Sequence, residues 1–119
     1  MKVVIIGASD KPNRYSYQAL MLLKEKGHEV FPVHQRIKEI EGIKVFSSIR
    51  DIEDEIDTVT MYVGKKISDM IIDDIIEKEP KRIIFNPGAE NKDLECQAGK
   101  KDIKTMNACT LVMLKTGQF

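Results

Sequence analysis

The sequence has no excess of either charge and very little cysteine, and each shortage excludes a class of protein. Nineteen basic residues balance nineteen acidic ones, so no overall field draws the chain to nucleic acid or to an anionic membrane. The two cysteines, Cys96 and Cys109, form neither a CxxC pair nor a cluster with the histidines, which excludes a zinc motif and a disulfide scaffold. We therefore expect a cytoplasmic protein in which any anion is held by a local site.

Long hydrophobic runs, repeats and low-complexity tracts are also absent. The opening MKVVIIGASD is far shorter in apolar residues than the roughly 20 that span a bilayer, and it lacks a signal-peptide pattern. We therefore expect a mature protein that starts at Met1 and has no membrane partner. A length of 119 residues with 42% hydrophobic and 32% charged content suits a single globular domain over residues 1–119.

Strand patterns alternate with helix patterns along the chain. Apolar and β-branched runs predict strands at 3–6, 29–34, 42–46, 57–63, 82–85 and 103–106. Helical spacing predicts a helix from an N-cap at Ser16 to a stop at Gly27, a second helix ending before Pro80, and a third after an N-cap at Asn91. The tail 109–114 is either a short helix or a strand. This alternation predicts a three-layer α/β fold with a mostly parallel sheet of five to six strands.

In such folds ligands bind beyond the carboxyl ends of the strands, so the loops there deserve most weight. The first loop, GASDKPNRYS at residues 7–16, combines small residues with Lys11, Arg14 and two serines. It leads into a helix N-terminus, which offers unpaired N–H groups, and an arginine can hold a phosphate through two parallel hydrogen bonds. This composition favours a phosphate site over a simple turn with surface charges.

The residues narrow the ligand but leave two classes open. The GxGxxG fingerprint is missing, since Ser9 and Pro12 stand where glycines belong, and no P-loop occurs. The second strand runs into Val33, His34 and 35–36 instead of the acidic residue that binds the ribose of NAD. A cation at that position suits a phosphorylated ribose, which leaves NADP and coenzyme A.

Several segments carry a resemblance to one family. VVIIGASDKPNRYSYQALMLLKEKGHEVFPVH, DTVTMYVG, KRIIFNPGAEN and ACTLVMLKTGQF resemble the small stand-alone CoA-binding domain proteins, which are similar to the N-terminal domain of the succinyl-CoA synthetase α subunit. The GAS-x-x-P-x-R-x-S loop is the most specific part. The chain differs from the family where Pro-Val-Asn-Pro and W-x-Q-x-G are common, because here these segments are 32–35 and 86–91.

The resemblance implies a Rossmann-like fold and a set of CoA-binding positions. Those around the pyrophosphate would be Gly7, Ala8, Ser9, Arg14 and Ser16. Those beside the adenosine would be Val33 and His34, and those lining the opposite wall Tyr62, Val63 and Gly64. The far side would be closed by Asn86, Pro87 and Gly88.

Single residues allow competing interpretations. His34 is either a general base, an adenosine contact or a loop histidine. Tyr62 either stacks on a ligand or caps the core, and Cys109 is expected to be buried rather than to face the cleft. The isoleucines of 67–76 are expected in the core, while Cys96 and the acidic stretch 51–57 are expected at the surface, with no metal site.

These observations predict a module that binds coenzyme A or an acyl-CoA and has no catalysis of its own. One rival is a small NADP-dependent oxidoreductase that uses the same cleft. The other is a protein-interaction module whose nucleotide site has decayed. Self-association through an edge strand or through the apolar tail 111–114 stays open.

Overall fold

The computed structural model describes all 119 residues as one parallel sheet with helices on both faces. The strands are β1 (Lys2–Ile6), β2 (Glu29–Val33), β3 (Glu39–Ile40), β4 (Ile43–Lys44), β5 (Thr58–Met61), β6 (Arg82–Phe85) and β7 (Lys104–Asn107). The α-helices are α1 (Tyr15–Glu25), α2 (Lys65–Ser68), α3 (Ile72–Lys78), α4 (Lys92–Lys100) and α5 (Thr110–Lys115). The main sheet has the order β2-β1-β5-β6-β7 with every pair parallel. The predicted α/β fold is confirmed.

Both faces of the sheet are buried, which explains the unbroken apolar run of β1. Val4 and Ile6 belong to the core beneath α3 and α4, whereas Val3 and Ile5 belong to the core beneath α1 and α5. All four side chains are at most 3% exposed. Alternate residues of a strand face opposite sides of the sheet, so a strand covered on both sides needs apolar residues at every position.

The outer side of β2 is covered at its carboxyl end, while β7 has no strand on its outer side. Pro32 lies in β2, an edge strand, as predicted for a proline that cannot complete a ladder. The predicted strand 42–46 meets the main sheet only at its last residue, because β4 pairs with β3 in a hairpin. Phe46 follows the hairpin and bridges Val33 in parallel, donating its N–H to the Pro32 carbonyl at 2.9 Å.

The first helix begins two residues earlier than predicted. Arg14 occupies the N-cap position and Ser16 lies inside the first turn, so the prediction of Ser16 as the N-cap is wrong. The predicted stop is confirmed, because Gly27 has φ of +88° and His28 donates its N–H to the Leu23 carbonyl. This left-handed glycine is the usual way to end a helix.

The predicted isoleucine helix is broken into α2, a 3₁₀ turn (Asp69–Ile71) and α3. Ile75 is fully buried, but Ile67 is 52% exposed, so the prediction of a continuous core face is wrong at its first residue. The 3₁₀ turn changes the number of residues per turn, and the side chain at 67 therefore no longer shares the face of Ile75. The helix ends before Pro80, as predicted.

The last third of the chain follows its local signals closely. Asn91 caps α4, since its side-chain oxygen accepts the N–H groups of Asp93 and Leu94 at 3.0 and 3.1 Å. The tail forms the helix α5 rather than a strand. None of the helices has the length and apolar character that crossing a bilayer requires.

Candidate functional site

A cavity of about 660 Å³ opens at the carboxyl ends of β1, β2 and β5. Gly7 follows β1, Val33 and His34 stand at the end of β2, and Val63 follows β5. The strand order reverses here, because β2 lies on one side of β1 and β5 on the other. Open parallel sheets bind ligands at such reversal points. We refer to this space as the binding cavity.

The binding cavity has an apolar wall and a polar rim. Half of its lining residues are hydrophobic, and two of them, Ile67 and Met70, are 52% and 77% exposed. Arg36 stands on the rim without a carboxylate within ion-pair distance. Asp74 lies opposite as the acidic lining residue, 3.7 Å from the Arg50 guanidinium. An apolar cleft with an unpaired cation at its rim suits a flat heteroaromatic ring attached to a phosphate.

Gly7 brings two loops into direct backbone contact at the bottom of the cavity. Its φ is +86°, and a Cβ at this position would lie 2.7 Å from Val63 Cγ1 and 3.1 Å from the Tyr62 carbonyl oxygen. Both the conformation and the space therefore require glycine. The loop after β1 can pass close to the loop after β5 only because residue 7 has no side chain.

The N-terminus of α1 offers free donors for an anion. Gly7 and Ala8 are not among them, because both N–H groups donate to the Val33 carbonyl at 3.2 Å. The N–H groups of residues 15–17 have no acceptor in the protein, no side chain caps this end, and the first turn holds no acidic residue. The hydroxyl of Ser16 makes no hydrogen bond either. Unpaired N–H groups and the helix dipole together favour an anion at this end.

His34 is held in one orientation by the backbone that follows it. Its Nδ1 accepts the N–H groups of Arg36 and Ile37 at 3.0 and 3.1 Å. The neutral ring must then carry its hydrogen on Nε2, which makes that nitrogen a donor. This arrangement suits hydrogen-bond donation to a ligand and leaves no free acceptor nitrogen for a general base.

Asn86 lies beside the site but its side chain is fully used inside the protein. Its Nδ2 donates to Thr60 Oγ1 at 2.7 Å and to the Met61 carbonyl at 2.9 Å, while its Oδ1 accepts the Thr110 N–H at 2.8 Å. The residue is only 3% exposed. Asn86 therefore ties β5, the end of β6 and the start of α5 together, and only the exposed Pro87 and Gly88 after it face solvent.

Tyr62 packs on the opposite side of the sheet from the binding cavity. Its ring lies against the core beneath α1 and α5, which is the core-capping alternative. Its hydroxyl is buried without a hydrogen-bond partner, although Thr60 and Thr110 are near. Burial raises the pKa of Tyr62 to about 12. Cys109 is half-buried at the start of α5 rather than fully buried as predicted, and Cys96 is exposed as predicted.

The predicted site residues thus fall into two groups. The binding cavity is lined by Gly7, Val33, His34 and Val63. The others follow the carboxyl ends of the strands outside this lining, and they are Ala8, Ser9, Arg14, Ser16, Tyr62, Gly64, Asn86, Pro87 and Gly88. Their roles toward a ligand remain predictions.

Comparison with known proteins decides the family. Residues 1–115 match the family model described as CoA binding domain. The chain belongs to the CoA-binding domain family. The prediction that its ligand is coenzyme A is thereby confirmed at the level of the family.

Individual relatives are similar to this CoA-binding domain in sequence and in fold. The chain is 32% identical over 84 residues to the acetate–CoA ligase [ADP-forming] II subunit alpha of Pyrococcus furiosus, which covers 70% of this chain and 18% of that subunit. A solved structure of an uncharacterized protein is 39% identical, with a TM-score of 0.93 over 99% of this chain and 97% of the other. A hypothetical protein from Pyrococcus horikoshii OT3 is 27% identical, with a TM-score of 0.90 over 96% of this chain and 81% of the other.

The residues present fit coenzyme A. The apolar wall can take the adenine, and the volume of about 660 Å³ lies within the range of ligand cavities. Arg14, Arg36 and the free N–H groups of α1 match a ligand with several phosphates. When bound, coenzyme A supplies a thiol that can carry an acyl group.

Sequence reasoning missed part of the cavity of this CoA-binding domain. Arg36 carried a signal, since it is a cation three residues after the end of β2, yet only Val33 and His34 of that segment were assigned to the site. Ile67 and Met70 carried a misleading signal, because helical spacing predicts that the isoleucine series around them lies in the core. Ser47 and Ser48 carried no signal, since the hairpin that delivers them to the rim is built from strands of two residues.

Proposed function

We propose that this chain is a non-catalytic module that binds coenzyme A or an acyl-CoA, with the pyrophosphate held at the loop after β1 and the N-terminus of α1. The carrying observation is the uncapped first turn of α1, where three N–H groups lack acceptors beside Arg14 and the unused Ser16 hydroxyl. Uncapped helix ends without acidic residues are stabilised by an anion.

The two ends of the ligand then extend in different directions. The adenosine lies in the binding cavity against Val33 and Val63, with the Nε2–H of His34 and the guanidinium of Arg36 as polar partners. The pantetheine end extends toward Gly64 and the exposed turn at 87–88. This arrangement leaves the thiol or acyl group near the open end of the site.

A binding role is favoured over catalysis by the state of the cavity's hydroxyl and imidazole groups. Ser47 donates to Asp51, Ser48 accepts the Arg50 N–H, and His34 has no free acceptor nitrogen. Because the aligned region is 18% of the ligase subunit's length, participation in an acyl-CoA ligation would require groups from other domains. The NADP-dependent alternative uses the same cleft, and the family match favours coenzyme A over it.

Calorimetric titration with CoA, acetyl-CoA, NADPH and NADH tests the proposal. We expect CoA species alone to bind, and Arg14→Ala to weaken them about 10- to 100-fold, since a charged hydrogen bond is lost. Lys24→Ala, at the far end of the same helix, is the matched control and should change nothing. Binding of NADPH alone would overturn the proposal, and so would Arg14→Ala without effect. Turnover of acetyl-CoA by the purified chain would overturn the non-catalytic role.

A further inference from the structure

The segment 65–71 forms one wall of the binding cavity, and of its apolar residues only Ile71 packs against the core. It supplies Ile67 and Met70 to the wall, and both are more than half exposed. The buried residue of α2 is a polar one, Ser68, which is 0% exposed. A wall that presents its apolar residues to the cavity must be anchored by other contacts.

The buried anchor of this segment is the side chain of Asn91. Its Nδ2 donates to Ser68 Oγ at 2.7 Å and to Asp69 Oδ1 at 2.9 Å. Asn91 is 2% exposed and Ser68 is 0% exposed, so the bond between them is shielded from water, whereas the bond to Asp69 is only partly buried. A buried amide with well-made bonds is costly to disturb, because each unpaired donor would lose its solvation as well.

Ion pairs add a weaker, exposed tie beside this anchor. Lys65 Nζ lies 2.8 Å from Asp69 Oδ2 and 2.9 Å from Asp93 Oδ2. The Lys65 side chain is 51% exposed and that of Asp93 is 70% exposed, so salt and water screen the pairs. The ion pairs therefore support the segment without fixing it.

We propose that Asn91 is a positioning residue for CoA binding, whose amide nitrogen fixes segment 65–71 and so holds Ile67 and Met70 as the apolar wall of the binding cavity. The inference rests on the proposed function in that it takes this cavity to receive the ligand. The two ends of the amide have separate tasks. Oδ1 caps α4, and Nδ2 holds the wall.

This division makes Asn91→Asp the informative variant. The carboxylate keeps an acceptor for the N–H groups of α4, but it loses both donors and faces Asp69. We expect CoA affinity to fall about tenfold, the cost of a broken buried hydrogen bond, and the unfolding temperature to fall as well, because a buried carboxylate that faces Asp69 destabilises the fold. The double variant Asp69→Asn/Asn91→Asp returns an amide donor from the other side of the same hydrogen bond and should recover most of the affinity.

Hydrogen exchange supplies a readout that does not depend on the ligand. The N–H groups of Ile67 and Ser68 donate to the Gly64 carbonyl, and they should exchange faster in Asn91→Asp while strand amides stay protected. Asp93→Asn, which removes one exposed ion pair, is the matched control with a small effect on both readouts. If Asn91→Asp does not fold, Ser68→Ala removes one of the two acceptors with less disturbance.

The results separate failure of this inference from failure of the proposed function. Unchanged CoA affinity in Asn91→Asp, or no recovery in the double variant, overturns the positioning role while the Arg14→Ala result stands. Faster exchange at 67–68 with unchanged affinity also overturns it. Absence of CoA binding by the unaltered chain overturns both.

Discussion

We call the side of the sheet where its parallel strands begin the amino edge and the side where they end the carboxyl edge. These two edges use the same kinds of charged residue in opposite ways. At the amino edge Lys2 lies 2.8 Å from Asp54, and Lys81 lies 3.2 Å from Asp57. At the carboxyl edge the cations of the loops after β1 and β2, Arg14 among them, have no carboxylate partner. A cavity of about 400 Å³ also exists at the amino edge, but it is lined by charges of both signs, and its two lysines are both paired, Lys2 with Asp54 and Lys81 with Asp57. Because the chain as a whole is neutral, where an anion can bind depends on where cations stay unpaired.

The amino edge is further closed by the last residue of the chain. The Phe119 ring lies 5.3 Å from the His28 ring, edge to face, and 4.5 Å from the Arg82 guanidinium carbon. Burial lowers the pKa of His28, and the nearby N-terminal amine and Arg82 add to this shift. The charged and aromatic groups of this edge thus contact one another, whereas cations at the opposite edge stay unpaired.

Gly7→Ala should have the largest effect on stability and CoA affinity, because it disturbs the carboxyl edge at the point where two loops touch. The added methyl meets Val63 and the Tyr62 carbonyl in a left-handed conformation, so we expect a loss of about 2–3 kcal/mol in stability and at least about 100-fold in CoA affinity. Thermal unfolding and calorimetric titration measure the two losses. Gly27→Ala is the control, since its φ of +88° is equally strained but no atom lies within 4 Å. Equal affinities in the two variants would contradict the role of this contact.

Arg36→Ala should weaken CoA binding at the carboxyl edge without affecting the fold. Loss of an unpaired rim cation is expected to lower CoA affinity about tenfold at low salt and less at high salt, because screening reduces the lost interaction. Titrations at two ionic strengths measure this effect, with Lys104→Ala at the amino edge as the control. A loss that does not depend on salt would argue against direct contact with a phosphate.

Asp57→Asn should act on the closed edge alone. The Lys2 backbone N–H, and then the Lys81 ammonium, lower the pKa of Asp57 below its ordinary value of 3.8. The ionised Asp57 therefore stabilises the folded state. This contribution is complete above the ordinary pKa of 3.8 and is lost as the pH falls from there through the lowered pKa of the folded state. We expect the variant to lose about 1 kcal/mol near pH 7 and to approach the parent in strong acid. Chemical unfolding across this pH range measures the difference, and a change in CoA affinity would show that the edges are not independent.

Local signals predicted much of the fold and part of the site. The β1 run, the stop of α1 at Gly27 and the Asn91 cap depend on neighbours within a few residues, so the sequence displays them directly. The break after α2 does not, because the Asn91–Ser68 bond joins residues 23 positions apart. Asn86 was misleading for the same reason, since its oxygen is used by Thr110, 24 positions on. Contacts of this range depend on how the elements pack, which periodicity does not encode.

The covered side of β2 also limits how copies of this chain could combine. Phe46 already bridges β2, and Pro32 has no N–H to donate, so another strand cannot pair along that strand. By contrast, β7 has no neighbour on its outer side. A sheet with one closed and one open end can join only another open end. Any continuous sheet formed by strand pairing between copies would thus stop at two molecules, joined about a twofold axis, and could not grow into a fibre.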